Sequence, residues 1–424
     1  MKQIKITGGK ILSGEIKISG SKNSAVALVP ASLLSDGIVE IDNIPNISDI
    51  DALTEVLEYL GAKVTRDDRK MTIDSSKIES KSIPEQLAKK LRASYYFMGA
   101  MLGKYKKVEM YFPGGCSIGK RPIDLHLKGF EALGAKVTID DNKYIVEADE
   151  LVGNNIYLDI ASVGATINIM LAATLAKGTT IIENAAKEPH IVNVAIFLNQ
   201  MGAKITGAGT SRIKIEGVQK LNGAFHEVVP DYIEAGTYVV AGALCGENLV
   251  IKNLIPSHIE SLTSKLKDMG IKFETGIDYI KISKSEKMKP VDISTAVYPG
   301  FPTDLQQVFT VLLTQTEGIS RVKENIWENR FMHIPYLNSM GANITVNESV
   351  ATIKGKTPLT GTGVVATDLR AGACMVLAAL IASGETTINS VEHILRGYEG
   401  IIEKLSNVGA KIELIEIYCS YIIT

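Results

Sequence analysis

Leu60-Gly61-Ala62-Lys63-Val64 is written six times in this chain, with small changes. The other copies are Leu133-Gly134-Ala135-Lys136-Val137, Met201-Gly202-Ala203-Lys204-Ile205, Met269-Gly270-Ile271-Lys272-Phe273, Met340-Gly341-Ala342-Asn343-Ile344 and Val408-Gly409-Ala410-Lys411-Ile412. The glycines are separated by 73, 68, 68, 71 and 68 residues. A fixed period of this length is an array of supersecondary units, and it outranks any single element assignment. At about 70 residues per copy, each unit holds several strands and helices.

Around each phrase the same order recurs. First comes a segment rich in Ala and Gly, apolar nearly all round, at 23–34, 93–103, 164–176, 233–244, 304–313 and 371–383. A helix apolar on every face is a buried helix. A short strand follows, as at 179–184, then a loop and an amphipathic helix such as 192–201. The repeated glycine ends that helix as a C′ residue. Two strands close the unit, for example 136–139 and 143–146, joined through Asp140-Asp141-Asn142. The unit is α-β-α-β-β, and the expected fold is α/β. It has two barrel-like domains of three units each, with the apolar helices inside. The sixth copy runs out of chain, so its missing strands are expected from a hairpin at 3–7, 10–12 and 14–19. The domains are then 21–229, and 1–20 plus 230–424, the second being discontinuous.

Equivalent positions open the six buried helices: Lys22, Arg92, Ser162, Asp231, Asp304 and Arg370. Free N–H groups and the dipole at such starts attract anions, each dipole by only about 0.3–1 kcal/mol. Ordinary capping accounts equally well for Ser162, Asp231 and Asp304. It accounts poorly for Lys22, Arg92 and Arg370, because a cation there opposes the dipole unless an anion also binds. The implied ligand carries several negative groups, such as phosphates and a carboxylate.

The totals limit the alternatives. The 424 residues carry 45 basic and 47 acidic side chains, a formal net charge of -2, which argues against a nucleic-acid-binding surface over the whole molecule. No apolar run approaches the roughly 20 residues of a membrane span. The opening Met1-Lys2-Gln3-Ile4-Lys5-Ile6 lacks a signal-peptide core. Four scattered cysteines (Cys116, Cys245, Cys374, Cys419) and six histidines form no metal-binding spacing. A reducing cytoplasm fits.

Repeat two departs from its siblings at 113–126, Pro113-Gly114-Gly115-Cys116-Ser117-Ile118-Gly119-Lys120-Arg121-Pro122-Ile123-Asp124-Leu125-His126. Three glycines allow close backbone approach and large motion. The other cysteines lie in apolar helices or a terminal strand and read as inert. Cys116 stands near Lys120 and Arg121, and cationic neighbours lower a thiol pKa toward reactivity. This segment reads as a lid carrying a general acid or a nucleophile, two roles that spacing does not separate. It matches neither G-x-x-x-x-G-K-[ST] nor G-x-G-x-x-G, so Walker-type and Rossmann readings are rejected.

Nine spaced motifs, in order, resemble the UDP-N-acetylglucosamine 1-carboxyvinyltransferases of the enolpyruvyl transferase family. They are Gly20-Ser21-Lys22-Asn23-Ser24-Ala25, Arg92-Ala93-Ser94, the 113–126 segment, Ser162-Val163-Gly164-Ala165-Thr166, Glu183-Asn184-Ala185-Ala186-Lys187-Glu188-Pro189, Phe301-Pro302-Thr303-Asp304, Glu328-Asn329-Arg330-Phe331-Met332-His333, Ala366-Thr367-Asp368-Leu369-Arg370-Ala371 and Arg396-Gly397-Tyr398-Glu399. The resemblance runs from Ile4 to about Leu414. It implies two inverse α/β barrels hinged about a cleft. It implies transfer of enolpyruvyl from phosphoenolpyruvate to the 3′-hydroxyl of UDP-N-acetylglucosamine with release of phosphate, the first committed step of peptidoglycan synthesis. No metal or organic cofactor, nucleic acid or membrane insertion is implied, and the oligomeric state stays open.

Residue roles also follow from the resemblance. Lys22 and Asn23 match the phosphoenolpyruvate-binding pair, and Arg121 and Arg396 match cations on its phosphate or carboxylate. Cys116 matches a proton donor to the enol methylene carbon that can also form a covalent adduct with phosphoenolpyruvate. Asp304 matches the carboxylate that takes the sugar hydroxyl proton. Arg92, Arg121, Pro122, Ile123, Asp124, Leu125, Ser162, Val163, Gly164 and Ile326 match the sugar-nucleotide site. Asp368, Arg370, Arg330 and Glu188 are further members of the cleft. Departures are Ile160 for a lysine near the nucleotide, Ala161 for proline or valine, and Trp327 for phenylalanine. The implied cysteine chemistry brings inactivation by fosfomycin, an epoxide that alkylates the equivalent thiol in the family. The nearest alternative is 5-enolpyruvylshikimate-3-phosphate synthase, whose sites lack the Pro-Gly-Gly-Cys segment and have Ser where this chain has Asn23. A catalytically silent sugar-nucleotide-binding paralogue is opposed by intact Lys22, Cys116, Asp304 and Arg396. A purely structural repeat protein leaves the varied ionisable helix starts unexplained.

Overall fold

A computed structural model describes residues 2–114 and 123–416. Its contacts divide the chain into two compact units, one of residues 2–19 and 230–416, the other of 20–114 and 123–229. Each has its own continuous apolar core. The calls on Cys116, Arg121, Pro122 and Cys419 fall outside the described residues.

The six buried helices are α1 (Lys22–Ala31), α2 (Tyr96–Tyr105), α3 (Val163–Ala173), α4 (Tyr232–Cys245), α5 (Thr303–Thr314) and α6 (Leu369–Ile381). In the 20–229 unit α2 packs on both α1 and α3; in the other unit α4, α5 and α6 pack on one another. Small residues make these approaches close. A Cβ on Gly99 of α2 would stand 2.4 Å from the Asn168 carbonyl oxygen of α3. Every residue of α6 from Arg370 to Leu380 is buried. The second helix differs from the expected 93–103, because Arg92–Tyr95 forms a 3₁₀ turn before α2 begins.

All six repeated glycines have positive φ, from 81° at Gly270 to 110° at Gly61. An L side chain is strained in that region, so the motif recurs for a backbone reason. The N–H of Gly61 bonds back to Leu57 and Glu58, closing the end of the Ser48–Leu60 helix.

The described strands form six separate sheets, five of four strands and one of three. The repeat has one element more than α-β-α-β-β. In five copies a short strand precedes the buried helix; in the third, fifth and sixth it pairs in parallel with the strand that follows the same helix, as Asn155–Tyr157 does with Thr179–Glu183, and the first and fourth copies trade partners. In the second copy this strand shrinks to a single bridge, Ile83 to Met110. A two- to four-residue strand lacks the length for a periodic signal, which is why the sequence hides it.

The predicted hairpin within the first 20 residues does not form. Lys2–Thr7 is inserted antiparallel between Glu385–Asn389 and Lys411–Glu416, supplying one central strand to the sixth sheet. Glu15–Lys17 instead pairs in parallel with Leu249–Lys252 of the fourth sheet. The intervening chain bonds elsewhere: Gly8 N–H to Gly384, Gly9 N–H to Leu380, Leu12 N–H to Cys245 and Ser13 N–H to Val408. Gly8 is required for this path, since a Cβ there would lie 2.1 Å from the Ala382 carbonyl oxygen.

The same rule is exchanged at both places where the chain passes from one unit to the other. Glu15–Lys17 precedes α1 in sequence but pairs with the strand after α4. Ala224–Glu227 precedes α4 but pairs in parallel with Ile38–Asp42, the strand after α1. Asparagines secure these leading strands. Asn43, Asn184, Asn253 and Asn325 donate from Nδ2 to the carbonyls of Val228, Leu158, Ile18 and Thr295 at 2.8–2.9 Å. The first three adopt left-handed φ of 55–60°, which Asn tolerates better than most side chains.

Candidate active site

In the 20–229 unit, Ser21 caps α1 by accepting from the Ser24 N–H, and Lys22 is the first helical residue. The Lys22 ammonium already faces a carboxylate, Asp49 Oδ2, at 2.7 Å, and both side chains are largely buried. Asp49 is a member of this site that the sequence reading missed. It lies in the outer Ser48–Leu60 helix, where an acidic residue reads as ordinary first-turn charge. Asn23 follows Lys22, half-buried, on the same turn.

Arg92 opens the 3₁₀ turn ahead of α2. Ile123 is buried, Asp124 is exposed and Leu125 half-buried, all where the Asp124–Ala132 helix begins. Ser162 caps α3, its Oγ accepting from the Ala165 N–H at 3.3 Å, so Val163 and Gly164 occupy the first turn. The capping alternative is therefore realised at Ser162, and at Asp231, whose Oδ1 accepts from Ile233 and Glu234 N–H. Glu188 precedes the outer Pro189–Gln200 helix, with Oε2 accepting from the Lys187 N–H at 3.0 Å.

Beneath α3 lies a buried relay. Gly99 N–H donates to Asn168 Oδ1 at 2.9 Å, and Asn168 Nδ2 stands 2.8 Å from His126 Nδ1. Tyr95 meets the His126 ring edge-on, with centroids 4.9 Å apart. Burial, with a smaller contribution from the Arg92 cation, pushes the His126 pKa down to about 3, so the ring is neutral at physiological pH.

In the other unit, Asp304 is the second residue of α5 and does not cap it. Its carboxylate spans two guanidinium groups. Arg330 Nη2 donates to Oδ1 at 2.6 Å; Arg370 donates to Oδ2 from Nε at 3.1 Å and Nη2 at 3.0 Å. Arg330 and Arg370 are each 3% exposed, while the Asp304 side chain is 30% exposed. Two buried cations thus present one accessible carboxylate. Asp368 caps α6, its Oδ1 accepting from Arg370 and Ala371 N–H at 2.8 and 3.0 Å, which fixes the root of the Arg370 side chain. The Arg370 guanidinium lies 5.3 Å from the Tyr398 ring centroid, and Tyr398 shares a hydrogen bond with Thr237 Oγ1 at 2.9 Å. Arg396 stands two residues before Tyr398, half-buried.

Glu324 is a second group that the sequence reading missed. Buried, it accepts from Thr295 Oγ1, Thr303 Oγ1, Ile326 N–H and Trp327 N–H. It joins the start of α5, which carries Asp304, to the turn that carries Ile326. A further buried cluster supports the Arg396 loop: Lys404 Nζ bonds Glu234 Oε1 at 2.5 Å and Ser19 Oγ at 2.6 Å, while Ser19 Oγ donates to Glu399. A glutamate between a strand and a loop, or a serine after an apolar strand, has no spacing signal. Among the described residues, Cys245 and Cys374 are buried in α4 and α6, and burial raises both thiols well out of the reactive range. Among the described residues no cluster of His, Cys, Asp and Glu gathers as metal ligands do, and no helix is long and apolar enough to cross a membrane.

Residues 6–405 match the family model described as EPSP synthase (3-phosphoshikimate 1-carboxyvinyltransferase). The chain is 53% identical over 412 residues to UDP-N-acetylglucosamine 1-carboxyvinyltransferase 2 of Geobacillus kaustophilus, covering 97% of this chain and 96% of that protein. The Bacillus subtilis protein of the same name is 52% identical over 413 residues, again covering 97% and 96%. Among solved structures, the enolpyruvyl transferase NikO from Streptomyces tendae superposes with a TM-score of 0.88 at 26% identity, covering 98% of this chain and 99% of that one. EPSP synthase from Acinetobacter baumannii superposes with a TM-score of 0.74 at 19% identity, covering 98% and 100%, a likeness of fold alone. An array of six units, buried helix starts bearing cations and carboxylates, and identity above one half along nearly the whole length point one way: the chain belongs to the EPSP synthase family of enolpyruvyl transferases, in its UDP-N-acetylglucosamine 1-carboxyvinyltransferase branch.

Proposed function

We propose that this protein transfers the enolpyruvyl group of phosphoenolpyruvate to the 3′-hydroxyl of UDP-N-acetylglucosamine, releasing phosphate, as the entry step to peptidoglycan in the cytoplasm. The observation that carries this reading is 52–53% identity over 97% of the chain to proteins of that name. The EPSP synthase from Acinetobacter baumannii, by contrast, is 19% identical to this chain.

The proposed chemistry needs a proton donor, a proton acceptor and cations. Cys116 gives a proton to the methylene carbon of the enol, leaving an oxocarbenium-like centre at the adjacent carbon. The sugar 3′-oxygen attacks that centre as its proton passes to Asp304, forming a tetrahedral intermediate. Removal of a methyl proton and cleavage of the carbon–oxygen bond to phosphate restore the enol and release phosphate. Lys22, Asn23, Arg121 and Arg396 balance the charge of the donor, an electrostatic role that needs no metal or organic cofactor. Arg92, Ser162 to Gly164, Arg121 to Leu125 and Ile326 receive the nucleotide. Arg330, Arg370 and Asp368 serve the site by fixing Asp304 and its surroundings, and Glu188 is a further member of the cleft.

The geometry that supports the acceptor role is the Asp304 carboxylate held from both oxygens by buried arginines while remaining partly exposed. Its two hydrogen-bonded guanidinium groups aim it, and a substrate hydroxyl approaching from the open side meets an oriented base. Incubation with phosphoenolpyruvate and UDP-N-acetylglucosamine, followed by mass spectrometry, tests the reaction: the enolpyruvyl ether of the sugar nucleotide is expected. Phosphate release with shikimate 3-phosphate but not with UDP-N-acetylglucosamine overturns the assignment. Asp304→Ala is expected to abolish turnover and spare nucleotide binding by calorimetry; undiminished turnover removes Asp304 as proton acceptor.

A further inference from the structure

Ser19 ends the first segment of the chain, and each of its polar atoms is engaged within the unit of residues 2–19 and 230–416. Its N–H donates to Glu234 Oε2 at 2.8 Å, and its carbonyl accepts from the Asp231 N–H at 2.9 Å. Its hydroxyl lies between an ammonium and a carboxylate. An ammonium can only donate, so Lys404 Nζ gives a proton to Ser19 Oγ at 2.6 Å. The hydroxyl proton then goes to Glu399 Oε2, and the relay runs in one direction, from Lys404 through Ser19 to Glu399. Lys404 also donates to Glu234 Oε1 at 2.5 Å and lies 6.0 Å from the ring centroid of Tyr238, one turn further along α4. Ser19, Glu234 and Glu399 are only 2%, 3% and 8% exposed, so each bond here is made where a lost partner is costly.

Glu399 belongs to the turn that carries Arg396. The turn joins the short Glu392–Leu395 helix to the Ile401–Asn407 helix, on which Lys404 sits, and Gly400 with φ of 57° lies at its end. Its backbone bonds are local: the N–H groups of Arg396, Gly397 and Tyr398 reach back to Glu392 and Ile394. Two side chains tie it to distant parts of the unit. Tyr398 bonds Thr237 of α4 and faces the Arg370 guanidinium. Glu399 reaches Ser19, 380 residues away in sequence. Arg396 stands half-buried three residues before Glu399, on a backbone held from inside at two consecutive positions.

We infer that Ser19 and Glu399 are positioning residues for the phosphoenolpyruvate site: the Lys404–Ser19–Glu399 relay fixes the backbone that bears Arg396, so that its guanidinium meets the donor already placed. A long cationic side chain rooted on a fixed turn has less freedom left to lose when it grips an anion, and that saving appears as affinity. The first segment of the chain thus serves the reaction as well as the sheets it completes. The inference rests on the proposed reading of Arg396 as a cation on phosphoenolpyruvate.

The test is steady-state kinetics for phosphoenolpyruvate beside calorimetric binding of UDP-N-acetylglucosamine alone. Ser19→Ala and Glu399→Ala cut the same bond from its two ends, and Ser19→Ala leaves the Lys404–Glu234 ion pair in place. In each, the KM for phosphoenolpyruvate is expected to rise roughly three- to thirtyfold, part of the worth of one hydrogen bond to a charged group. The kcat is expected to change little, because a grip made equally on donor and transition state moves KM alone. The Kd for the nucleotide is expected to stay within about twofold, the ordinary scatter of an independent site. The double variant should be no worse than the worse single one, since both lose one shared interaction. Should one single variant fold poorly, the other carries the measurement. An unchanged KM for phosphoenolpyruvate in a folded variant overturns the inference, even if the melting temperature falls. Equal loss of affinity for both substrates, or additive effects in the double variant, overturns it as well. Arg396→Ala is measured alongside: if it leaves the KM for phosphoenolpyruvate unchanged, the reading of Arg396 fails instead.

Discussion

At the scale of single residues, the site works by pairing charges before substrate arrives. Lys22 rests on Asp49 and Asp304 rests on two arginines, so neither helix start carries a bare buried charge, which would be costly. In the proposed reaction, a phosphate or carboxylate entering beside Lys22 would compete with Asp49. Removal of one partner is therefore felt twice, in affinity and in stability. Cys116 is the residue whose chemistry is most open to a simple test. Its thiol is the proposed proton donor and the proposed target of fosfomycin. Replacement by aspartate keeps a proton donor and removes the nucleophilic sulfur. The Cys116→Asp enzyme is expected to turn over and to survive fosfomycin exposure that inactivates the parent; mass spectrometry showing the same epoxide adduct on both would reject the assignment. Lys22 and Asp304 could be singled out because they open buried helices at matched positions in a repeat, Cys116 because its segment departs from the sibling repeats, and Arg396 from the family resemblance alone. Asp49, Glu324 and Asn168 were not, because each acts through a partner distant in sequence.

At the scale of elements, helix contact and strand exchange decide what can change. Gly99 lets α2 approach α3 and supplies the N–H that orients Asn168. An alanine there must push its Cβ against the Asn168 carbonyl and amide oxygens, at 2.4 and 2.6 Å. Gly99→Ala is expected to cost about 1–3 kcal/mol, the usual range for overpacking, read as a lowered midpoint in urea unfolding. The buried helices and the ends of the outer helices were legible from composition and from the glycine phrase. The leading strands were not: at two to four residues they are defined by their partners, and two of the partners lie more than 180 residues away.

At the scale of the whole molecule, the first residues belong to a unit made mostly of the last. Lys2–Thr7 is the middle of the sixth sheet and Glu15–Lys17 an edge of the fourth, so deleting residues 2–19 removes strands from two sheets of one unit. Such a truncation is expected to leave residues 230–416 protease-sensitive while 20–229 retains a folded core, which limited proteolysis with mass mapping would resolve. A uniform loss of protection in both units would contradict it. The second global property is acid sensitivity. Burial lowers the pKa of His126 to about 3, His226 to about 4 and His333 to about 3. The unfolded chain binds these protons near the ordinary value of 6.5 and the folded chain does not. Stability is fully present above about pH 6.5 and is lost as pH falls toward 4 and 3, by about 1.4 kcal/mol per pH unit for each histidine in its window. Urea unfolding between pH 7 and 4 checks the sign; a flat or rising stability on acidification would refute it.

The sequence alone determined the sixfold array, its α/β class and the positions where cations and carboxylates open the buried helices. Those features are periodic or local, and a periodic signal survives without coordinates because every copy repeats the same physical demand for an apolar face or a positive φ. Tertiary structure alone decided which charges meet, where the first strands go and that Asn168 stands against His126. Each of these depends on a hydrogen bond or ion pair between residues that folding, not spacing, brings within about 3 Å.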